Sequence, residues 1–396
     1  VEASGGQRED HTGLTALIAC TDFATEEFNW RTENMNQRVT RLALAASLLC
    51  ATAAHAQSSS VTLGGIADVA IRYVDNAGLP ANTSMVSGAN NTSRIFFRGT
   101  ENLGNGLSAG FHLEMGVQFQ NGSFASSTAN QIFDRRAVVT LASNNLGELI
   151  LGRDYVPTYS LWVANDPFSH VGVAGSNNLA SATPNGPIRA AFGSSFNTTV
   201  RANDSLQWVL PKNALGVEGA VFAGFRGNGL VTDGRNEVMG FRLSRQFDKL
   251  RVSVAQNQTS NSLTTLGDFT DTVFTASYTM GKNRFVASNR EFKYATAKQT
   301  NQLLGAYIAA PGGQIKLSWL TANYAGTVGT TAIGANDVEQ IGAGYVYDFS
   351  RRTVGYINTS TIRNKGLAAT AIPGGAAGLA AGKTSQGFEV GIRHNF

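Results

Sequence analysis

The chain has 396 residues, of which 15% are charged and 44 are glycine, with a formal net charge of +4 and a mean hydropathy of -0.09. This excludes a helical membrane protein, because no clean run of ~20 apolar residues appears beyond the N-terminal region. It leaves open a membrane barrel, in which half of every strand is polar and the average stays near neutral.

Met35 to Arg41 forms a basic stretch, Leu42 to Ala53 a short apolar core, and Ala54-His55-Ala56 a small-x-small cleavage site. Residues 35–56 are therefore expected to be an export signal peptide cut after Ala56. Cys50 could suggest a lipoprotein, but Leu49 before it is too large for the usual small residue. Residues 1–34 are expected to be an upstream extension from a start assigned too early, and 57–396 the exported body. Of the 31 basic and 27 acidic residues, four and seven fall in 1–56, so the body is net positive by seven. Both cysteines, Cys20 and Cys50, also lie in 1–56. That excludes disulfides, zinc–thiolate sites and a cysteine nucleophile from the exported body.

From residue 61 onward the chain alternates. Val61 to Tyr73 sets Val61, Leu63, Val69, Ile71 and Tyr73 against Thr62, Asp68 and Arg72, with Ile66 breaking the polar face. Ser93 to Thr100 sets Ile95 and Phe97 against Arg94 and Arg98. After a tight turn at Leu103–Gly106, Leu107 to Gln120 places seven apolar residues at odd positions and no large apolar residue at even ones. A period of two over that length outlasts the ~5–6 residues of an ordinary soluble strand and reaches the ~9–11 that cross a bilayer. Further strands are expected at 136–141, 148–153, 201–210, 217–226, 236–247, 250–257, 272–278, 283–292, 302–309, 314–322, 339–349, 353–361 and 387–396, sixteen in all. Their connections alternate short and long, the pattern of an antiparallel barrel with its apolar face turned outward to lipid. The expected fold is all-β, a sixteen-stranded antiparallel transmembrane β-barrel; a soluble multi-sandwich β protein is the competing class. The last strand alternates Phe388, Val390, Ile392, His394 and Phe396.

Several stretches together resemble the trimeric sixteen-stranded general porins of Gram-negative bacteria, of the beta-proteobacterial type. They are AHA-Q at the cleavage site, VTLGGIADVAI, SRIFFRGTENLGNGLSAGFHLE, FDRRAVVTLASNNLGELILGRDY, RANDSLQWVLP, IGAGYVYDFSRRT and the terminal GIRHNF. The most specific part is Arg94-x-x-x-Arg98-Gly99-Thr100-Glu101 followed by Leu103-Gly104-x-Gly106-Leu107. Two positions depart from the pattern. Phe96 stands where a small residue is expected, with its ring aimed at the lumen, and Leu63-Gly64-Gly65 replaces a form containing an aromatic residue.

The resemblance implies that a third loop, here about Asp154–Thr199, folds into the barrel and narrows it. Alternation places Arg72, Arg94, Arg98, Arg136, Arg201, Glu114 and Glu218 inside. The resemblance implies that Arg94, Arg136 and Arg201, joined on the wall by Arg98, form a basic ladder facing acidic groups on the loop, Asp154 and Asp166. Such a gap orients dipolar solutes, and excess fixed positive charge concentrates anions. It further implies an outer-membrane channel for small hydrophilic solutes and inorganic or organic anions. A homotrimer, contact with outer-membrane lipid, and recognition of the Phe396 strand by the barrel assembly machinery are also implied. No cofactor or metal is implied.

Little points elsewhere. The exported body has only His112, His170 and His394, without H-E-x-x-H or G-x-S-x-G. Gly104 to Ala109 echoes a dinucleotide fingerprint but opens a strand, so it reads as a hairpin. The basic pI of about 9.1 comes without an aromatic-basic stripe for nucleic acid. Two readings stay open beside the channel: a barrel acting through its loops as an adhesin or surface receptor, and an outer-membrane hydrolase.

Overall fold

The computed structural model describes residues 60–125, 131–180, 186–228 and 234–396. The expected upstream extension, signal peptide and cleavage site lie outside the described residues.

Sixteen strands form the wall: β1 Ser60–Asn76, β2 Arg94–Gly104, β3 Leu107–Gln118, β4 Arg136–Ser143, β5 Gly147–Tyr155, β6 Arg201–Val209, β7 Val217–Gly224 and β8 Glu237–Phe247, then β9 Leu250–Ser260, β10 Phe269–Met280, β11 Asn283–Tyr294, β12 Ala297–Ala310, β13 Gly313–Ala325, β14 Val338–Asp348, β15 Thr353–Asn364 and β16 Ser385–Asn395. Each pairs antiparallel with the next, and β16 returns to β1 with Val69 opposite Ile392. The sheet is closed, so the barrel wall has no edge whose backbone groups would face lipid unpaired. No helix among the described residues is long and apolar enough to cross a membrane.

Side chains follow the alternation. On β1, Val61, Leu63, Ile71 and Tyr73 are exposed, while Asp68, Arg72 and Asn76 are buried. This inverts a soluble protein, and lipid is the solvent that makes it favourable. The expected break at Ile66 is real: it is half-buried on the inner face, opposite Arg94.

One connection departs from the short–long alternation. β11 and β12 run on past the bilayer-length core and meet in a two-residue turn, Ala295-Thr296, with Ala295 at φ +51°. Strands longer than the membrane requires can close as a simple hairpin, and nothing in the period marks where they leave the bilayer.

The two glycines before Ile66 are explained by what lies against them. A Cβ on Gly64 would sit 2.5 Å from the ring of Phe96 on β2, so the small and the large residue have exchanged strands. Gly65 is covered by the Phe396 ring, and the two backbones exchange hydrogen bonds of 3.0 and 3.1 Å.

The segment between β5 and β6 enters the barrel. It is not the unstructured connection its sequence suggests. It holds helix α1 (Pro157–Val163), a 3-10 turn (Ser176–Asn178) and helix α2 (Pro187–Phe192). Both helices begin with proline at the first position, where the missing N–H costs nothing. Trp162, Val173 and Leu179 of the loop pack with Val273, Leu303, Leu320 and Ile362 of the inner wall. Pro167 lies over Gly305, and Phe168 over Gly342 and Gly344. The inner wall opposite β2–β6 thus carries small and apolar residues where a pore lining would otherwise be polar, because there it supports the loop.

Candidate functional site: a basic wall and an inward loop

β2, β3 and β4 lie in register, with Phe96 opposite Glu114 and Glu114 opposite Arg136. That register gathers the arginines of β2 and β4 around Glu114 of β3 on one face, and Arg201 of β6 joins them through Tyr155. Arg94 donates to Asn91 Oδ1 at 2.6 Å and reaches Glu114 at 3.4 Å. Arg136 pairs with Asp154 at 3.0 Å and touches His112 Nδ1 at 3.4 Å. Arg201 donates to the Arg135 carbonyl at 2.8 Å and to the Tyr155 hydroxyl at 3.0 Å, and lies 4.5 Å over the Tyr155 ring. Arg98 is exposed and, among the described residues, has no partner beyond the face of Phe96 at 5.5 Å.

Arg135 is the member that alternation could not supply, since it precedes the first residue of β4. It is buried, donating to Glu114 at 2.6 Å and to Tyr155 Oη at 2.7 Å. Burial opposes its charge, but the Tyr155 phenol and the Glu114 carboxylate outweigh that and push its pKa up. The cluster therefore holds five guanidiniums, on Arg94, Arg98, Arg135, Arg136 and Arg201, against two carboxylates, Glu114 and Asp154. Among the described residues, Glu101 and Glu148 form no ion pair with it. Arg98 and Arg201 have no carboxylate partner among the described residues either.

The expected acidic face on the loop is corrected. Asp154 is the penultimate residue of β5 and belongs to the wall, where it answers Arg136. Asp166 lies in the loop but is 1% exposed. It accepts the backbone N–H groups of Phe168, His170 and Ser176 at 2.8, 2.9 and 2.9 Å. A carboxylate spent on three backbone donors ties the loop's bend and offers no charge to the lumen. No other Asp or Glu occurs between residues 155 and 200. Among the described residues, the loop presents no acidic side chain to the basic wall.

His170, also in the loop, donates its backbone N–H to Asp166 and contacts Ser176 Oγ through Nδ1 at 2.8 Å. Burial, reinforced by Arg290 and Arg201, drives its pKa down to about 3 and keeps the ring neutral. The remaining expected lining residues divide. Arg72 is buried in a 2.8 Å pair with Glu389, and Glu218 is exposed in a 2.5 Å pair with Arg251. Phe96 is half-buried between Gly64, Arg98 and the His112 ring at 5.6 Å.

The loop is held in place by a pair that strand alternation alone does not reveal. Arg290 on β11 and Asp271 on β10 are each 1% exposed and 2.7 Å apart. Asp271 accepts from Thr158 Oγ1 of α1 at 2.5 Å, and Arg290 donates to the Thr199 carbonyl at 2.6 Å. One ion pair thus holds both ends of the loop. Asp271 falls one residue before the strand expected at 272–278, which hid the pairing.

A closed barrel with an outward apolar face, an inward loop and a net-positive wall is the build of a membrane pore. The chain belongs to the Gram-negative porin family, whose profile matches residues 43–367. It is 32% identical over 380 residues to outer membrane porin protein 32 of Delftia acidovorans, covering 89% of this chain and 99% of that one. Over 210 residues it is 32% identical to an outer membrane porin protein of Bordetella pertussis, covering 49% of this chain and 50% of that one. Its fold superposes on the anion-selective porin from Comamonas acidovorans with a TM-score of 0.70 at 29% identity, covering 86% of this chain and 100% of that one. The protein is an outer-membrane channel for passive diffusion of small hydrophilic solutes, and not an enzyme.

Proposed function

We propose that this channel prefers anions and that Arg94, Arg98, Arg136 and Arg201, with Arg135 behind them, set the preference. The observation that carries this reading is the count, among the described residues, of five guanidiniums against two carboxylates on one stretch of wall, with no carboxylate paired to Arg98 or Arg201. Fixed positive charge in a narrow aqueous path raises the local anion concentration and raises a barrier to cations. The anion selectivity named for the Comamonas structure agrees with this reading. The physiological solutes are small inorganic and organic anions. The working unit is a homotrimer in outer-membrane lipid, exported through the signal at 35–56 and inserted by the barrel assembly machinery through the strand ending at Phe396.

The test is reconstitution of residues 57–396 in a planar bilayer under a potassium chloride gradient. A reversal potential on the anion side is expected, moving toward cations in Arg201→Glu and Arg98→Glu. A wild-type reversal potential on the cation side overturns the reading.

A further inference from the structure

A second basic site lies away from the β2–β6 wall. A cavity of about 420 Å³ opens beneath α1, lined by Asn165 of the loop and by Arg242, Ser244, Arg251, Ser277 and Arg284 of strands β8 to β11. It lies toward the short-turn end of these strands, the periplasmic mouth in a barrel of this kind. Gln246, Arg251 and Ser277 follow one another across three strands in register, and Thr279 faces Arg284.

The state of the three guanidiniums is informative. Arg284 spends one nitrogen on the Ala164 carbonyl and Asn165 Oδ1, at 2.8 and 2.7 Å, and rests over the Tyr307 ring at 5.1 Å. Arg251 pairs with the exposed Glu218. Arg242 has no hydrogen-bond or ion-pair partner among the described residues, and its Nε is buried without one. The hydroxyls of Ser244 and Ser277, both buried residues, likewise make no hydrogen bond among the described residues. A buried guanidinium N–H left unmet is costly, and here it sits at a cavity with unused hydroxyl donors.

We propose that this cavity is a binding site for a tetrahedral oxyanion of charge minus two, sulfate or hydrogenphosphate, which an anion occupies between the constriction and the periplasmic mouth. Three guanidiniums face the one carboxylate of Glu218 at the cavity, with Asp154 of the basic wall acting on Arg242 from farther off, so the site is net positive and suits an anion of more than one charge. Arginine forks and serine hydroxyls supply convergent donors, which suit an oxyanion with several acceptor oxygens better than a chloride. The site rests on the anion-preferring reading and deepens it by naming the class of anion that dwells longest.

The experiment measures chloride current through single reconstituted channels while sulfate, or in a parallel arm inorganic phosphate, is added at the periplasmic mouth. Wild type is expected to show concentration-dependent block. Arg242→Gln removes no hydrogen bond or ion pair among the described residues and is expected to raise the half-blocking concentration about tenfold, the effect of losing one charged hydrogen-bond donor. The chloride reversal potential should stay on the anion side, because the β2–β6 wall is intact. Block that is absent, or identical in Arg242→Gln, overturns the site while leaving the channel's preference standing. A wild-type reversal potential on the cation side overturns the preference itself. Independently, crystals of the intact porin soaked in selenate are expected to give an anomalous peak within hydrogen-bonding reach of Arg242, and a cavity without one overturns the site.

Discussion

Two stretches of the inner wall carry arginines and put them to opposite use. On β2–β6, guanidiniums outnumber carboxylates, and two of them, on Arg98 and Arg201, have no carboxylate partner among the described residues. On β10–β11 across the lumen Arg290 is matched to Asp271, and at the β1–β16 seam beside the basic wall Arg72 is matched to Glu389, with every partner nearly or fully buried. Asp68 is likewise enclosed, bonded to the Tyr356 hydroxyl and to the backbone N–H groups of Asn90 and Asn91. A charge selects ions only while it remains uncompensated in water. Once paired and buried it fixes geometry, because removing either partner strands the other in a low-dielectric interior.

The contrast can be broken most violently at the far wall. Arg290→Met leaves Asp271 buried and unpaired, which is expected to cost roughly 3–5 kcal/mol and to release both ends of the inward loop. The temperature at which the folded band disappears on semi-native gels should fall, and single-channel traces should become noisy. Adding Asp271→Leu should restore much of the loss, and equal losses in the single and double variants would show that pairing is not the cause. A smaller effect is expected at Gly64→Val, where the new side chain meets the Phe96 ring. Overpacking of this kind costs about 1–3 kcal/mol, and Phe96→Ala in the same chain should recover it.

Within the basic wall the comparison sharpens. Arg201→Gln should move the chloride reversal potential further than Arg136→Gln, because the Arg136 charge is already met by Asp154 at 3.0 Å. Identical shifts would mean that local pairing does not govern selectivity. The mildest outcome concerns acid. Folded His170 titrates near 3 and an unfolded histidine near about 6.5. As pH falls from 6.5 toward 3 the unfolded chain takes up a proton that the folded one refuses, so stability declines across that window. His170→Asn should lower stability by a constant amount above pH 7, through the lost Ser176 contact, and flatten the decline below it, as read from heat-modifiability at stepped pH.

The strands were legible because lipid is an unforgiving solvent: Val61, Leu63, Ile71 and Tyr73 must be apolar, and their alternation survives in the sequence. The lumenal side was legible only as an orientation. Alternation could place Arg94, Arg136 and Glu114 inside, but which arginine meets which carboxylate depends on strand register and on loops. Arg135 escaped notice because it lies just outside its strand, where a period of two says nothing. Asp166 was misread because a loop carboxylate can turn to water or to its own backbone, and only the folded loop decides. The Gly64–Phe96 exchange was visible as two separate oddities, and the pairing of β1 with β2 makes them one compensated change.

The seam where Phe396 covers Gly65 sets the order of events during assembly. The strands it joins are remote in the chain, as the Arg72–Glu389 bridge across the same seam spans 317 positions. Closing so long a segment costs about 5 kcal/mol of chain entropy before any contact repays it. Until β16 docks, β1 and the last strand added each keep a bare hydrogen-bonding flank that lipid cannot satisfy, so every intermediate is an open ribbon with two exposed margins. Those margins stay costly in lipid for the whole of insertion. The aromatic ring laid over Gly65 acts as the clasp that ends the vulnerable period.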